Sequence, residues 1–237
     1  MTDDGRRAFY ARTGSVWGDL LSLLHPPYTL WHLSYVAIGA GLAPELDWVR
    51  LGGTIVAFAV GLGIAAHAFD EVHGRPLGTR LSDGTLWALG IGGLAVSGAV
   101  AGAGATLISP WVLAWAVAGM VLAAGYGLEW SPLLHSLAGF AVAWGAFPVI
   151  VSYWAQAESV SAAALAAGAA AAMLSVAQRR LSTPARFVRR RTTRAETVFD
   201  AGEGWDRSRL LATWEGGLRA LAWAMPALAV ALLLRPR

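Results

Sequence analysis

The chain has 237 residues, of which 56% are hydrophobic and only 14% are charged. Soluble domains usually carry about a quarter charged residues, so this composition excludes an ordinary soluble domain and favours a membrane protein. The sequence has no cysteine, which excludes disulfides and thiolate chemistry. All 18 basic residues are arginine.

Apolar segments long enough to cross a bilayer follow one another along the chain. We predict an all-α, polytopic transmembrane bundle of about seven helices, with the twelve tryptophans near its interfaces. Glycine and alanine are abundant in the middle helices, and such small residues let membrane helices pack closely. The helices are predicted at about 26–43, 49–69, 85–107, 111–128, 133–154, 160–176 and 218–234.

Polar segments lie before and within the bundle. Residues 1–24 are predicted to form a polar leader, amphipathic at 16–24 and without the features of a signal peptide. Residues 25–237 are predicted to form the transmembrane domain, in which 179–217 is predicted to be an arginine-rich loop that contacts anionic lipid headgroups. Because arginine also binds phosphate bidentately, a diphosphate is an alternative ligand of this loop. Nucleic acid is not an expected partner, because these arginines lie between membrane spans.

The placement of the arginines predicts the orientation of the bundle. With the N-terminus in the cytoplasm, fifteen of the 18 arginines are on the inner side, and Arg50, Arg235 and Arg237 are on the outer side. Positive residues are enriched in the cytoplasmic loops of membrane proteins. We therefore expect a multi-pass protein of the inner cell membrane with a cytoplasmic N-terminus.

With this topology, all five histidines and four carboxylates lie at or near the inner face. They are His25, His32, His67, His73, His135, Asp70, Glu71, Asp83 and Glu129. Ionisable groups at helix ends inside a membrane bundle are costly unless they are paired or bind a cation. The pattern indicates a functional site at this face, and the alternative for each residue is a solvated helix end.

The densest cluster closes the second predicted helix. His67 lies three residues before Asp70 and four before Glu71, so the three side chains share one helical face. Imidazole with carboxylate suits zinc, iron or manganese, whereas carboxylates alone suit magnesium together with phosphate. We predict a metal site here, to which Glu129 and His135 would contribute if the fold brings them close.

The segment from Ala65 to Leu81, with Arg75-Pro-Leu after its acidic turn, resembles the first signature of the UbiA-type intramembrane prenyltransferase superfamily. The segment His25–Leu30 is similar to the opening of the first helix of that family, and Leu137–Gly145 resembles its glycine-bearing fifth helix. The resemblance covers about residues 25–155. The chain departs from the family pattern in several places. Its acidic residues are compressed to the adjacent pair Asp70-Glu71, and it has room for about seven helices where the family usually has nine. His67 stands at the usual asparagine position, and Gln178-Arg-Arg stands where a second acidic motif would close helix 6, with Asp200 and Asp206 as candidate substitutes.

The resemblance implies a helical bundle whose central cavity binds an isoprenyl diphosphate through Mg²⁺, followed by transfer of the prenyl group to an acceptor. It implies that Asp70 and Glu71 hold the cation as catalytic residues. The residues expected to bind the substrate are Arg75, Arg80, His32, Arg179 and Arg180.

Three hypotheses are therefore open. The first is a divergent UbiA-like enzyme acting on an isoprenoid or a related lipid. The second is an enzyme that oxidises or hydrolyses a lipid with iron, zinc or manganese, which would be held by the histidines and carboxylates at the inner face. The third is a protein without catalytic activity that binds a lipid or a membrane partner.

Overall fold

The computed structural model describes residues 10, 15–198 and 204–236. This part of the chain is mostly helical, as predicted, with seven helices of 17 residues or more after a short helix α1 (Val16–Leu23). The long helices are α2 (Pro26–Leu42), α3 (Trp48–Val72), α4 (Asp83–Leu107), α5 (Trp111–Gly127), α6 (Leu137–Ala157), α7 (Ala162–Arg191) and α8 (Arg207–Leu233).

Five of the described helices, α3, α4, α6, α7 and α8, are long and apolar enough to cross a membrane. Helix α5 is apolar but has only 17 residues. The predicted transmembrane character is therefore supported for five spans rather than seven. The type of membrane and the orientation of the chain in it stay predictions.

The long helices alternate in direction. At one end of the bundle, the Arg235 guanidinium donates to the carbonyls of Leu42 and Ala43, where α2 ends. At the same end, Arg50 in the first turn of α3 donates to the carbonyl of Ala155 in the last turn of α6. The other end gathers the starts of α2, α4, α6 and α8 and the ends of α3, α5 and α7, and we name it the polar end.

Short polar side chains set where several helices begin. The Oγ atoms of Ser82, Ser136 and Ser161 accept hydrogen bonds from main-chain amides in the first turns of α4, α6 and α7. Asp47 does the same for α3. Such caps satisfy amides that have no partner within the helix.

Helix α2 lies in the core of the bundle. Its Trp31 and Tyr35 side chains are buried, and the Trp31 indole donates to the Tyr35 hydroxyl across 2.6 Å. Gly39 allows α6 to approach closely, because a Cβ atom at this position would lie 2.2 Å from the Val149 carbonyl oxygen. Small residues thus bring these helices together as expected for a membrane bundle.

Helices α3 and α6 each contain a π-helical segment, Gly61–Ala66 and Val142–Ala146 respectively. The two segments meet in the core, where Leu62 and Ala66 cluster with Ala143 and Trp144. Wider π turns inside α-helices frequently occur at functional sites.

The predicted arginine-rich loop 179–217 is mostly helical, which corrects the sequence prediction. Helix α7 continues to Arg191 and α8 begins at Arg207, so only 192–206 connect them. Arginine is a good helix former, and α7 therefore continues beyond its apolar half. The described connection includes an antiparallel pair of short strands, β1 (Glu196–Val198) and β2 (Gly204–Asp206), which an all-helical prediction missed.

The predicted polar leader is described only at residue 10 and from residue 15 onward, where α1 forms at the predicted amphipathic patch. Ser15 caps this helix, and the buried Asp19 pairs with Arg80 of the α3–α4 loop, 3.1 Å from Nε to Oδ2. Asp200, a candidate substitute for the second acidic motif, lies outside the described residues, whereas Asp206 caps α8.

Candidate functional site

A cavity of about 340 Å³ lies at the polar end and brings together side chains from most of the long helices. Ligand cavities commonly measure about 300–1,000 Å³. We name it the polar cavity. Its polar and charged lining residues are Tyr10, His25, Tyr28, His32, His67, Asp70, Tyr126, Glu129, His135, Gln178, Arg179, Ser182, Arg186, Arg189 and Arg190.

Three histidines in this cavity are oriented by main-chain carbonyls. The Nδ1 atoms of His32, His67 and His135 lie 2.8, 3.1 and 3.1 Å from the carbonyl oxygens of Trp144, Gly63 and Tyr126. A carbonyl only accepts, so each Nδ1 carries a proton and Nε2 is the ring atom left for a further contact, which in His135 is made to the Glu129 carboxylate at 3.4 Å. Two of these carbonyls, those of Gly63 and Trp144, belong to the π-helical segments.

His25 stacks on His67, with ring centroids 4.3 Å apart. Loss of hydration lowers the pKa of His25 well below its usual value, and the nearby His67, Arg186 and Arg190 lower it further. The ring is therefore neutral at pH 7, and its Nδ1 lies 3.0 Å from the Tyr10 hydroxyl. This residue adds no positive charge to the cavity.

The two adjacent acids of the predicted metal site face different surroundings. Asp70 lines the polar cavity, whereas Glu71 does not and is fully buried. The Glu71 carboxylate accepts hydrogen bonds from the amide of Leu77 (2.9 Å) and from the amide and hydroxyl of Thr79 (2.8 and 3.0 Å). Glu71 thereby fixes the α3–α4 loop, and the structure does not bring it together with Asp70 and His67.

A divalent cation held by Asp70 and Glu71 does not fit this arrangement. Both carboxylate oxygens of Glu71 already accept hydrogen bonds from buried or half-buried donors. Within 15–198 and 204–236, moreover, no three histidine, aspartate or glutamate side chains converge closely enough to hold a metal ion.

Glu129 and His135 are brought to the same cavity as His67 and Asp70, as the hypothesis of further ligands required. The Glu129 carboxylate lies between His135 Nε2 at 3.4 Å and His73 Nε2 at 3.6 Å. Its backbone has φ +53°, an uncommon conformation for a residue with a side chain. Glu129 thus links the loop after α3 to the segment before α6.

Two arginines that were expected to bind substrate have structural partners instead. Arg75 pairs with Asp83 and donates to the carbonyl of Leu81 across 2.6 Å. Arg80 pairs with Asp19. Neither lines the polar cavity, and Arg180 on α7 is exposed outside it. Of the predicted set, only Arg179 and His32 line it.

Helix α7 supplies arginines that the sequence prediction did not assign to the site. Arg186, Arg189 and Arg190 line the polar cavity together with Arg179. Arg179 donates to the Tyr126 hydroxyl, and its guanidinium lies 5.3 Å from the centroid of the Phe140 ring. Positions 179, 186 and 190 share one helical face. This spacing could have indicated that the three arginines face the same site, but only if the segment had been predicted to be a helix rather than a loop.

A second cavity of about 480 Å³ lies among α3, α4, α5 and α6, and we name it the apolar cavity. It extends to Asp47 and Arg50 at the start of α3, away from the polar end. Its large apolar lining residues include Phe58, Leu62, Leu94, Trp115, Met120, Trp144, Phe147 and Trp154. Leu62 and Trp144 line both cavities, so the two adjoin at the π-helical segments.

Comparison with known proteins adds no assignment. No family model matches this chain, and neither the curated proteins nor the solved structures searched include a match. The resemblance to the UbiA-type prenyltransferases stays a prediction.

Proposed function

We propose that this chain is a divergent UbiA-like membrane enzyme whose substrate is an isoprenyl diphosphate or a related lipid with a phosphate headgroup. One observation carries the proposal. A polar cavity lined by four arginines adjoins an apolar cavity, and the two share Leu62 and Trp144. An amphiphile would place its anionic headgroup among the arginines and its hydrocarbon chain in the apolar cavity.

The chemistry that suits this arrangement is prenyl transfer. The bond between the first prenyl carbon and the diphosphate oxygen breaks, and the diphosphate leaves with the electron pair. An acceptor then forms a bond to the prenyl carbon and loses a proton. Aromatic faces stabilise nearby cations, and Tyr126, Phe140 and Trp144 line the polar cavity close to its border with the apolar one.

The distribution of arginines would place the polar cavity at the cytoplasmic side of the inner membrane. Exposed arginines of α7 and the following segment, Arg180, Arg191 and Arg194, would then contact anionic lipid headgroups.

The test is equilibrium binding of radiolabelled farnesyl diphosphate to the purified chain in detergent. Farnesol, which has the same chain without phosphate, and inorganic pyrophosphate, which has the headgroup alone, are the matched ligands. We expect farnesyl diphosphate to bind at least about tenfold more tightly than either. Equal affinity for farnesol would overturn the proposal, because the arginines would then have no role in binding.

Release of labelled diphosphate in the presence of membrane lipids tests the catalytic part of the proposal. Binding without release under any acceptor condition would favour a lipid-binding protein without enzymatic activity.

One observation favours the transition-metal hypothesis as a second candidate. Histidines that bind metals usually donate their other ring N–H to a carbonyl or carboxylate. His32, His67 and His135 each make this contact through Nδ1, although these three side chains do not converge on one point in the described part of the chain. Metal analysis of the purified chain tests it. Stoichiometric iron, zinc or manganese that is lost in His67→Ala would support this candidate, and metal-free active protein would exclude it.

A further inference from the structure

We infer that the phosphate headgroup is bound by the arginines of α7 together with Gln178, and that this binding requires no divalent cation. The inference rests on the proposed function, because it presumes a ligand with a phosphate headgroup. It departs from the magnesium site that the family resemblance implies.

The acidic side of the cavity is poorly suited to hold a cation. Glu71 is buried away from the cavity, and its oxygens accept three hydrogen bonds from the α3–α4 loop. Asp70 and Glu129 are the remaining carboxylates in the cavity lining. Glu129 already lies between two histidines. Among the residues that the structure describes, no three histidine, aspartate or glutamate side chains converge closely enough to hold a metal ion.

The basic side is better suited to an anion. Arg179, Arg186 and Arg190 line the cavity, and within the described ranges none has a carboxylate within ion-pair distance. Arg189 differs, because this buried arginine is paired with the half-buried Glu215, which neutralises its charge. Among the described residues, three guanidinium groups without a paired carboxylate therefore face a cavity lined by two carboxylates. The four α7 arginines come from one helix, so a single rigid element presents them.

Gln178 provides an independent indication of a ligand. Its side chain is 5% exposed and lines the polar cavity, yet its Oε1 atom has no hydrogen-bond partner in the described part of the chain. Buried polar atoms are nearly always hydrogen-bonded, so an unpartnered amide in a cavity wall calls for a partner from outside the chain. The oxygen and nitrogen of this amide are interchangeable by rotation. Because Oε1 itself has almost no accessible surface, the side chain would also have to turn toward the cavity for its NH₂ group to donate to a phosphate oxygen.

Guanidinium groups match this ligand chemically. They bind phosphate through two parallel N–H···O bonds and keep their charge at every physiological pH. A diphosphate carries several negative charges, which three guanidinium groups could neutralise without a metal ion.

The test measures binding of inorganic pyrophosphate and of farnesyl diphosphate to the full chain, with excess EDTA and with excess magnesium chloride. We expect the affinity of the wild type to differ by less than about twofold between the two conditions. Arg186→Gln and Arg190→Gln should each weaken binding by at least about tenfold. Arg180→Gln is the matched control, because Arg180 is on the same helix but outside the cavity, and it should bind like the wild type.

Arg186→Lys keeps the positive charge but removes the two parallel N–H donors of the guanidinium group. We expect this variant to bind pyrophosphate and farnesyl diphosphate more weakly than the wild type but more tightly than Arg186→Gln. Binding that is lost in EDTA and restored by magnesium would overturn this inference and leave the proposed function standing. Unchanged affinity in both glutamine variants would also overturn the inference. Failure of both ligands to bind in either condition would overturn the proposed function as well.

Discussion

Glu71 accepts two hydrogen bonds from Thr79, one from the main-chain amide at 2.8 Å and one from the hydroxyl at 3.0 Å. Its second carboxylate oxygen accepts the amide of Leu77 at 2.9 Å. These contacts join the last turn of α3 to the loop that leads into α4. Adjacent acids therefore have different roles, because Asp70 faces the polar cavity while Glu71 stabilises the loop.

Glu71→Ala should destabilise the protein strongly, whereas Asp70→Ala should not. The first change leaves three donors in a buried site without an acceptor, which we expect to cost on the order of 3–5 kcal/mol. Asp70 makes no hydrogen bond through its side chain among the described residues, so its removal should change the free energy of unfolding by less than about 1 kcal/mol. Thermal unfolding in detergent measures both. Equal stability losses would contradict the structural role of Glu71.

The different surroundings of Asp70 and Glu71 show what helical periodicity can and cannot predict. Spacing alone places His67, Asp70 and Glu71 on one face, and the structure places His67 and Asp70 in the lining of the polar cavity. The direction of Glu71 depends on the loop that follows, where Arg75 and Gly78 adopt positive φ angles and bring the Thr79 amide back toward α3. No local pattern in the sequence indicates that return.

The arginines of α7 show a different limit. The apolar part of α7 ends just before the first arginine pair, so hydropathy alone predicts a helix that ends at about residue 176. In the structure, the helical backbone continues to Arg191. The guanidinium of Arg207 donates to the carbonyls of Val188 and Arg189 near the end of α7. That contact between distant residues helps to set the end of the helix, and it follows from the tertiary fold rather than from the sequence of the segment.

Gly39→Ala should destabilise the bundle, because its Cβ atom would lie 2.2 Å from the main-chain oxygen of Val149 and α2 and α6 would have to separate. We expect a cost of about 2–3 kcal/mol, typical of overpacking a core. Gly98→Ala in α4 is the matched control. In the described part of the chain, no atom beyond the neighbouring backbone of its own helix lies within 4 Å of its Cβ position, so the higher helix propensity of alanine should leave stability unchanged or raise it by up to about 1 kcal/mol. The melting temperature of Gly39→Ala should therefore fall, whereas that of Gly98→Ala should stay unchanged or rise.

Acid should weaken the start of α3 through Asp47. Hydrogen bonds from the amides of Arg50 and Val49 lower the pKa of this carboxyl below its usual value. A group with a lowered folded-state pKa stabilises the protein above its unfolded-state pKa of about 3.9, and this contribution is lost as the pH falls through the folded-state pKa. Asp47→Asn keeps a capping oxygen without the titration. Between about pH 5 and pH 3, the melting temperature of the wild type should fall more than that of Asp47→Asn, and identical profiles would contradict this assignment.

A substitution that fills the apolar cavity should weaken binding of the ligand's hydrocarbon chain without weakening binding of its phosphate headgroup. Ala116 lines this cavity, whereas Ala114, two residues earlier on α5, is exposed and does not. A tryptophan at 116 would occupy part of the space of about 480 Å³ that the hydrocarbon chain needs. We expect Ala116→Trp to weaken binding of farnesyl diphosphate by at least about tenfold and to leave binding of inorganic pyrophosphate unchanged.

Ala114→Trp should bind both ligands like the wild type, because it adds the same side chain to the same helix outside the cavity. A loss of pyrophosphate binding in Ala116→Trp would show that the substitution disturbs the polar cavity as well. Unchanged binding of farnesyl diphosphate in that variant would show that the hydrocarbon chain lies elsewhere. The two cavities share Leu62 and Trp144, so we propose that the headgroup and the hydrocarbon chain bind in adjoining sites. This arrangement requires that Ala116→Trp weaken binding of farnesyl diphosphate while binding of pyrophosphate is kept.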